Sequence, residues 1–177
     1  MRHCSAEGQH KDSPLTTVGM RQAHLLSNFF NDQNISIHRI ISSPYLRAIE
    51  SIKPYAQLIN TEVEVDERLK ERILSEDPID DWLEVLEQSF TDLDFTLPGG
   101  ESANDAMHRV SQVIDSIYDN ENVANVIIVS HGNLLSLLLK QYNPDFGFAN
   151  WKELRNPDVF LVNMDDEKTH SVECVWR

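Results

Sequence analysis

Cysteine is nearly absent from the chain: Cys4 and Cys174 are the two among 177 residues. Two cysteines cannot build a disulfide framework, and so low a count suits a reducing compartment. Basic residues are scarce as well. Lys plus Arg total 15 against 29 Asp plus Glu, a formal net charge of −14. Such a surface does not release counterions from a nucleic acid, which argues against a general nucleic-acid binder. It argues equally against docking on anionic lipid. An anionic small substrate stays open, because a pocket can be locally positive inside a negative protein. Long apolar runs are missing too. The most apolar stretch, residues 123–139, is interrupted by Ser130-His131-Gly132-Asn133 and is not a membrane span. No apolar segment of a signal peptide follows Met1-Arg2-His3-Cys4. A cytoplasmic protein with no membrane partner is expected. Repeats, low-complexity tracts and linkers are absent. The scattered histidines lack ligand spacing, so neither a metal nor another cofactor is expected.

What is present is ordinary for a globular chain: 41% hydrophobic and 25% charged residues. The length fits one domain over residues 1–177. Residues 16–30 carry Met20, Ala23, Leu26, Phe29 and Phe30 at helical spacing, with Thr16 or Thr17 as cap. Residues 35–42 are short and β-branched and predict a strand, followed by a helix over 44–58. A brief strand is expected at 62–65 and a helix at 79–90. Pro98-Gly99-Gly100 marks a turn. The spacing predicts a helix over 102–118, in which Ser102 and Asp105 are placed as a capping box. A buried strand over 126–130 and a helix over 134–142 come next. Strands at 159–164 and 171–176 follow, separated by a turn at 165–168. Alternation of this kind predicts an α/β fold, a three-layer α/β/α sandwich around a mostly parallel sheet.

Three patches carry chemistry-bearing residues. They are Met1-Arg2-His3-Cys4-Ser5-Ala6-Glu7-Gly8-Gln9, then Ser42-Ser43-Pro44-Tyr45-Leu46-Arg47-Ala48, then Val129-Ser130-His131-Gly132-Asn133. The last two fall at strand-to-helix junctions, where backbone N–H groups and the helix dipole favour an anion. Together the patches supply two arginines and two histidines. Arginine's planar fork suits phosphate oxygens. A neutral imidazole can attack phosphorus and form a covalent intermediate. A carboxyl group is then needed to protonate the leaving group and later to activate water. Singly, each residue reads as structural. In this order and context the catalytic reading gains weight.

The chain resembles the histidine phosphatase superfamily, the branch that includes cofactor-dependent phosphoglycerate mutases and their phosphatase relatives. Arg2-His3 stands for the family's opening Arg-His-Gly, with Gln9 at its later polar position. Leu15-Thr16-Thr17-Val18-Gly19-Met20-Arg21-Gln22-Ala23 matches Leu-Thr-x-x-Gly-x-x-Gln-Ala. Ser42 to Ala48 matches Ser-Ser-Pro-x-x-Arg-Ala, and Leu69-Lys70-Glu71-Arg72 resembles Leu-x-Glu-Arg. Pro98-Gly99-Gly100-Glu101-Ser102 and Ser130-His131-Gly132 complete the series in family order.

The resemblance implies a nucleophilic His3 that becomes phosphorylated. It implies that Arg2, Arg47 and His131 clamp the phosphoryl oxygens, with Gln9 in support. Glu71 is the implied proton donor and general base, with Glu101 as its rival. The expected activity is metal-independent hydrolysis of a small organic phosphomonoester, the partner being a phosphorylated metabolite. Mutase-type phosphoryl transfer and non-catalytic phospholigand binding are the alternatives, and a cysteine mechanism on His3-Cys4 is weaker because His10 stands where that loop needs an arginine. The 177-residue length favours the phosphatase over longer mutases. The stretch 73–97 is expected to wall the pocket. There Asp77, Asp80, Asp81 and Glu84 would repel polyanions, and Trp82 and Phe90 would touch substrate or simply pack. Two departures stand out. Cys4 replaces a glycine. The family's first strand is missing or truncated, since only Met1 precedes Arg2-His3, and the expectation is a sequence that begins late.

Overall fold

Ile40 and Ile41 divide the core between them. Neighbouring side chains on a strand point to opposite faces of its sheet. Ile40 packs with Ala23, Leu26, Ile52 and Tyr55, whereas Ile41 packs with Leu69, Val110, Leu134 and Leu137. Both lie on β1 (Arg39–Ser42), which pairs in parallel with β2 (Val63–Val65) and β3 (Val126–Val129) in the order β2-β1-β3. β3 repeats the division: Ile127 and Val129 join the first cluster, and Val126 and Ile128 pack against the second. Burial on both faces is what a parallel sheet demands. Helices α1 (Thr17–Asp32) and α2 (Leu46–Leu58) cover one face. Helices α3 (Trp82–Thr91), α4 (Ala103–Tyr118) and α5 (Gly132–Tyr142) cover the other. The result is the expected three-layer α/β/α arrangement, seen in a computed structural model that describes residues 1–119, 124–164 and 171–176.

A short helix α6 (Phe148–Glu153) leads to an antiparallel pair, β4 (Val159–Asn163) and β5 (Ser171–Trp176). The turn read at 165–168 lies outside the described residues.

Residues 1–3 run between β3 and β4. The Met1 nitrogen donates to the Ile128 carbonyl, and Ser130 N–H donates to the Met1 carbonyl at 2.9 Å. His3 N–H donates to Ser130 O at 3.0 Å, and Arg2 N–H to Asp158 O at 2.9 Å. This short stub pairs in parallel with Ser130 as a bridge, where a central strand would end. Among the described residues no strand precedes Arg2.

Caps fix the helices that bear on the site. Thr16 rather than Thr17 caps α1, its side chain accepting from Gly19 N–H at 2.9 Å. Ser102 and Asp105 form the capping box of α4. α5 starts at Gly132, with only Ser130 and His131 between it and the end of β3, which turns its N-terminal N–H groups toward the site.

Candidate active site

His3, Arg47 and His131 meet although 128 positions separate the first from the last (131 − 3). His3 leaves the stub beside β3, Arg47 sits in the first turn of α2, and His131 caps the start of α5. The imidazoles stand edge to face with centroids 5.1 Å apart. Between them lies the Arg47 guanidinium, only 1% exposed. Its Nε donates to His3 Nε2 at 3.2 Å, and its Nη2 lies 3.2 Å from His131 Nδ1. Its Nη1 donates to the carbonyls of Gln9 and His10, at 3.1 and 3.0 Å. Gln9 therefore supports the site through its backbone, in an exposed residue.

These contacts fix both tautomers. His3 Nδ1 lies 2.6 Å from the Cys4 carbonyl, which can only accept, so Nδ1 carries the proton and Nε2 keeps its lone pair. His131 is the reverse: Nδ1 accepts from Arg47, and Nε2 donates to Ser43 Oγ at 2.7 Å. Burial pushes the His3 pKa down to about 3, and the positive charges of Arg47 and Arg2 add to the effect. The same causes hold His131 well below its ordinary value, burial first.

Arg2 brings the second guanidinium. Its Nη1 donates to Leu154 O at 2.9 Å, while its Nε is buried with no protein partner. The guanidinium lies against Gly132, where a Cβ would come within 3.1 Å of Arg2 Cζ. Burial lowers the pKa of both Arg2 and Arg47, and in each case Glu71 is the counter-charge that opposes it most.

Glu71 reaches the site after the 3₁₀ turn Glu67–Leu69. Its carboxylate accepts from the N–H groups of Asn133 at 3.1 Å and Leu134 at 3.0 Å, at the first turn of α5, and from Arg72 N–H at 2.9 Å. Glu101, its rival, is engaged elsewhere. Both of its oxygens accept from Arg109, at 2.6 and 2.8 Å. Cys4 is wholly buried in the core beside α1 and α2, and burial pushes its thiol up to about 11, the wrong direction for a nucleophilic thiolate. Phe90 is buried in the core cluster against α4, which settles it as packing. Trp82 stands 47% exposed, its ring edge to face with Trp151 at 6.0 Å, a contact between α3 and α6. Among the described residues no group of three or more His, Cys, Asp and Glu is placed to hold a metal ion.

The model of the histidine phosphatase superfamily (branch 1) matches residues 1–176. The chain belongs to that superfamily. The Probable phosphoglycerate mutase GpmB of Yersinia pestis is 33% identical to this superfamily member over 141 residues, covering 75% of this chain and 64% of that protein. The match thus spans under two thirds of the relative's length. In fold, it is similar to the alpha-ribazole phosphatase from Shigella flexneri, with a TM-score of 0.77 at 18% identity, covering 100% of this chain and 94% of that one. It is also similar to a mycobacterial glucosyl-3-phosphoglycerate phosphatase, with a TM-score of 0.75 at 20% identity over 99% and 94% of the two chains.

Two residues of the second patch stand at the site although the sequence assigned them no role of their own. Ser43 holds His131, and its position in Ser42-Ser43-Pro44 was the available signal. Tyr45 lies edge to face with His131 at 4.8 Å and beneath Arg47 at 4.8 Å. Its type at that position carried no signal.

Proposed function

We propose that the protein is a metal-independent cytoplasmic phosphatase that hydrolyses a small organic phosphomonoester through a phosphohistidine, with residues 1–177 forming one domain around the site. The observation that carries this reading is the state of His3: Nδ1 protonated against Cys4 O, Nε2 unprotonated, beside the buried Arg47 guanidinium and the half-buried Arg2, whose Nε is buried. Nε2 attacks phosphorus, forming the N–P bond as the P–O bond to the alcohol breaks. Arg2 and Arg47 hold phosphoryl oxygens, and Arg2 Nε is a buried donor ready for one of them. His131 joins them in its other tautomer: once Arg47 turns to the phosphoryl group, Nδ1 carries the proton and donates, and Nε2 accepts from Ser43 Oγ. Arg47 Nε exchanges His3 for a phosphoryl oxygen as substrate enters. Glu71 protonates the leaving alkoxide and then takes a proton from the water that attacks the phosphohistidine. The proton it takes from water in the second step is the one it gives to the alkoxide of the next substrate, and its three N–H partners hold the carboxylate between the two steps. The acidic stretch 73–97, with Trp82, walls the substrate side and disfavours polyanions.

A mutase-type transfer is the second reading, favoured by the name of the relative from Yersinia pestis. A phosphomonoester panel with wild type and His3→Ala, with and without a chelator, tests the proposal. Inorganic phosphate released by wild type alone, unaffected by chelator, supports it. Equal turnover in His3→Ala overturns it. Return of the phosphoryl group to phosphoglycerate without phosphate release selects the mutase.

A further inference from the structure

The stretch from Leu15 to Ala23 takes no part in the steps above, yet it is the seat of the segment that follows the nucleophile. Thr16 N–H donates to the Ser5 carbonyl at 3.0 Å. Gly19 lies so near that a Cβ there would stand 2.0 Å from the same oxygen. Gln22 Oε1 accepts from Ser5 N–H at 2.9 Å. The other end of that side chain, Nε2, donates to the Asn156 carbonyl, and Asn156 Nδ2 donates to the His3 carbonyl at 2.8 Å.

Ser5 N–H and the Cys4 carbonyl belong to one planar peptide unit. That carbonyl is the acceptor for His3 Nδ1–H. We propose that Gln22 is a positioning residue for the nucleophile, acting through the Cys4–Ser5 peptide. The inference rests on the reading of His3 as nucleophile. Holding the N–H end of a rigid plane fixes the direction of its C=O end. Accepting that N–H also polarises the carbonyl, which then pulls harder on the imidazole proton. The ring is held in one tautomer and one orientation, with Nε2 the richer in electrons. A primary amide suits the place because one end must accept and the other must donate. Glutamate supplies only the acceptor, and leucine supplies neither.

Two variants separate positioning from general support, each read by rapid-quench phosphohistidine formation and by NMR of ¹⁵N-labelled histidine. The His3 resonance is assigned by its loss in His3→Ala. Gln22→Leu is expected to slow His3 phosphorylation about tenfold to a hundredfold and to move the His3 Nδ1–H resonance. Affinity for inorganic phosphate, held by Arg2, Arg47 and His131, is expected to stay within about twofold. Gln22→Glu keeps the partner of Ser5 N–H and is expected to lie nearer wild type in both readouts. An unmoved Nδ1–H resonance in Gln22→Leu overturns the proposal. So does an equal loss in both variants with phosphate affinity falling in parallel. Absence of phosphohistidine in the wild type is a different failure, that of the phosphatase reading, and the resonance still reports on Gln22.

Discussion

The proposed attack of His3 on phosphorus needs an unprotonated nitrogen at the working pH. Here burial and two neighbouring cations supply it, holding His3 at about 3 against an ordinary 6.5. The consequence for stability has a definite sign. Below 6.5 the unfolded chain takes up a proton at this residue that the folded protein refuses until about 3. Stability tied to His3 is therefore whole above 6.5 and falls as pH drops through that window. We predict a steeper fall in Tm from pH 6.5 toward 3 for wild type than for His3→Ala. Arg47 gives a second prediction at this scale. Its guanidinium serves both histidines and two carbonyls at once, a fork that an ammonium cannot reproduce. Arg47→Lys is expected to lower kcat/KM by about 10²–10³, the scale of a lost transition-state donor. The two carboxylates should also part company. Glu71→Gln is expected to cost about 10²–10⁴ in turnover. Glu101→Gln, which weakens the pair with Arg109 and removes a counter-charge of Arg72, should leave kcat within a few-fold while lowering the melting temperature.

At the scale of elements, the site depends on where helices begin. Ser102 N–H and Asp105 close α4 reciprocally, so Ser102→Ala is expected to cost about 1 kcal/mol in urea unfolding with kcat unchanged. Element starts and ends were also where the sequence spoke most and least clearly. The capping box of α4 and the run of β5 over 171–176 were legible because side-chain type and periodicity both announced them. The strand expected at 35–42 shrinks to Arg39–Ser42, because pairing with β3 begins only at Val126. α6 was invisible: six residues span under two turns, too few for a periodic signal. The family motifs located His3, Arg47 and His131, but tautomers and partners belong to three-dimensional contact. Ser43 on His131 and Gln22 on Ser5 are contacts of that kind, at separations of 88 and 17 residues.

For the whole molecule, the charge of −14 surrounds a small cationic pocket. Two guanidinium groups, buried Arg47 and half-buried Arg2, stand close together there, so a bound anion relieves their mutual repulsion. Inorganic phosphate is accordingly expected to stabilise the protein. At a hundred times its Kd the gain is about 2.7 kcal/mol by mass action, seen as a rise in Tm. The rise should vanish in Arg47→Ala, which keeps the negative surface and loses the pocket. Polyphosphates should gain less, since their outer charges meet the acidic stretch 73–97.

The contact between Arg47 Nε and His3 Nε2 occupies the lone pair that the proposed attack requires. So held, the imidazole is shielded from any electrophile too bulky or too neutral to draw the guanidinium away. Chemical selectivity follows without a separate gate: an acylating reagent such as diethyl pyrocarbonate should modify exposed His10 and His24 well before His3. Only a ligand that offers arginine a better acceptor than the histidine itself unmasks the nitrogen, and a phosphoryl oxygen is such a ligand.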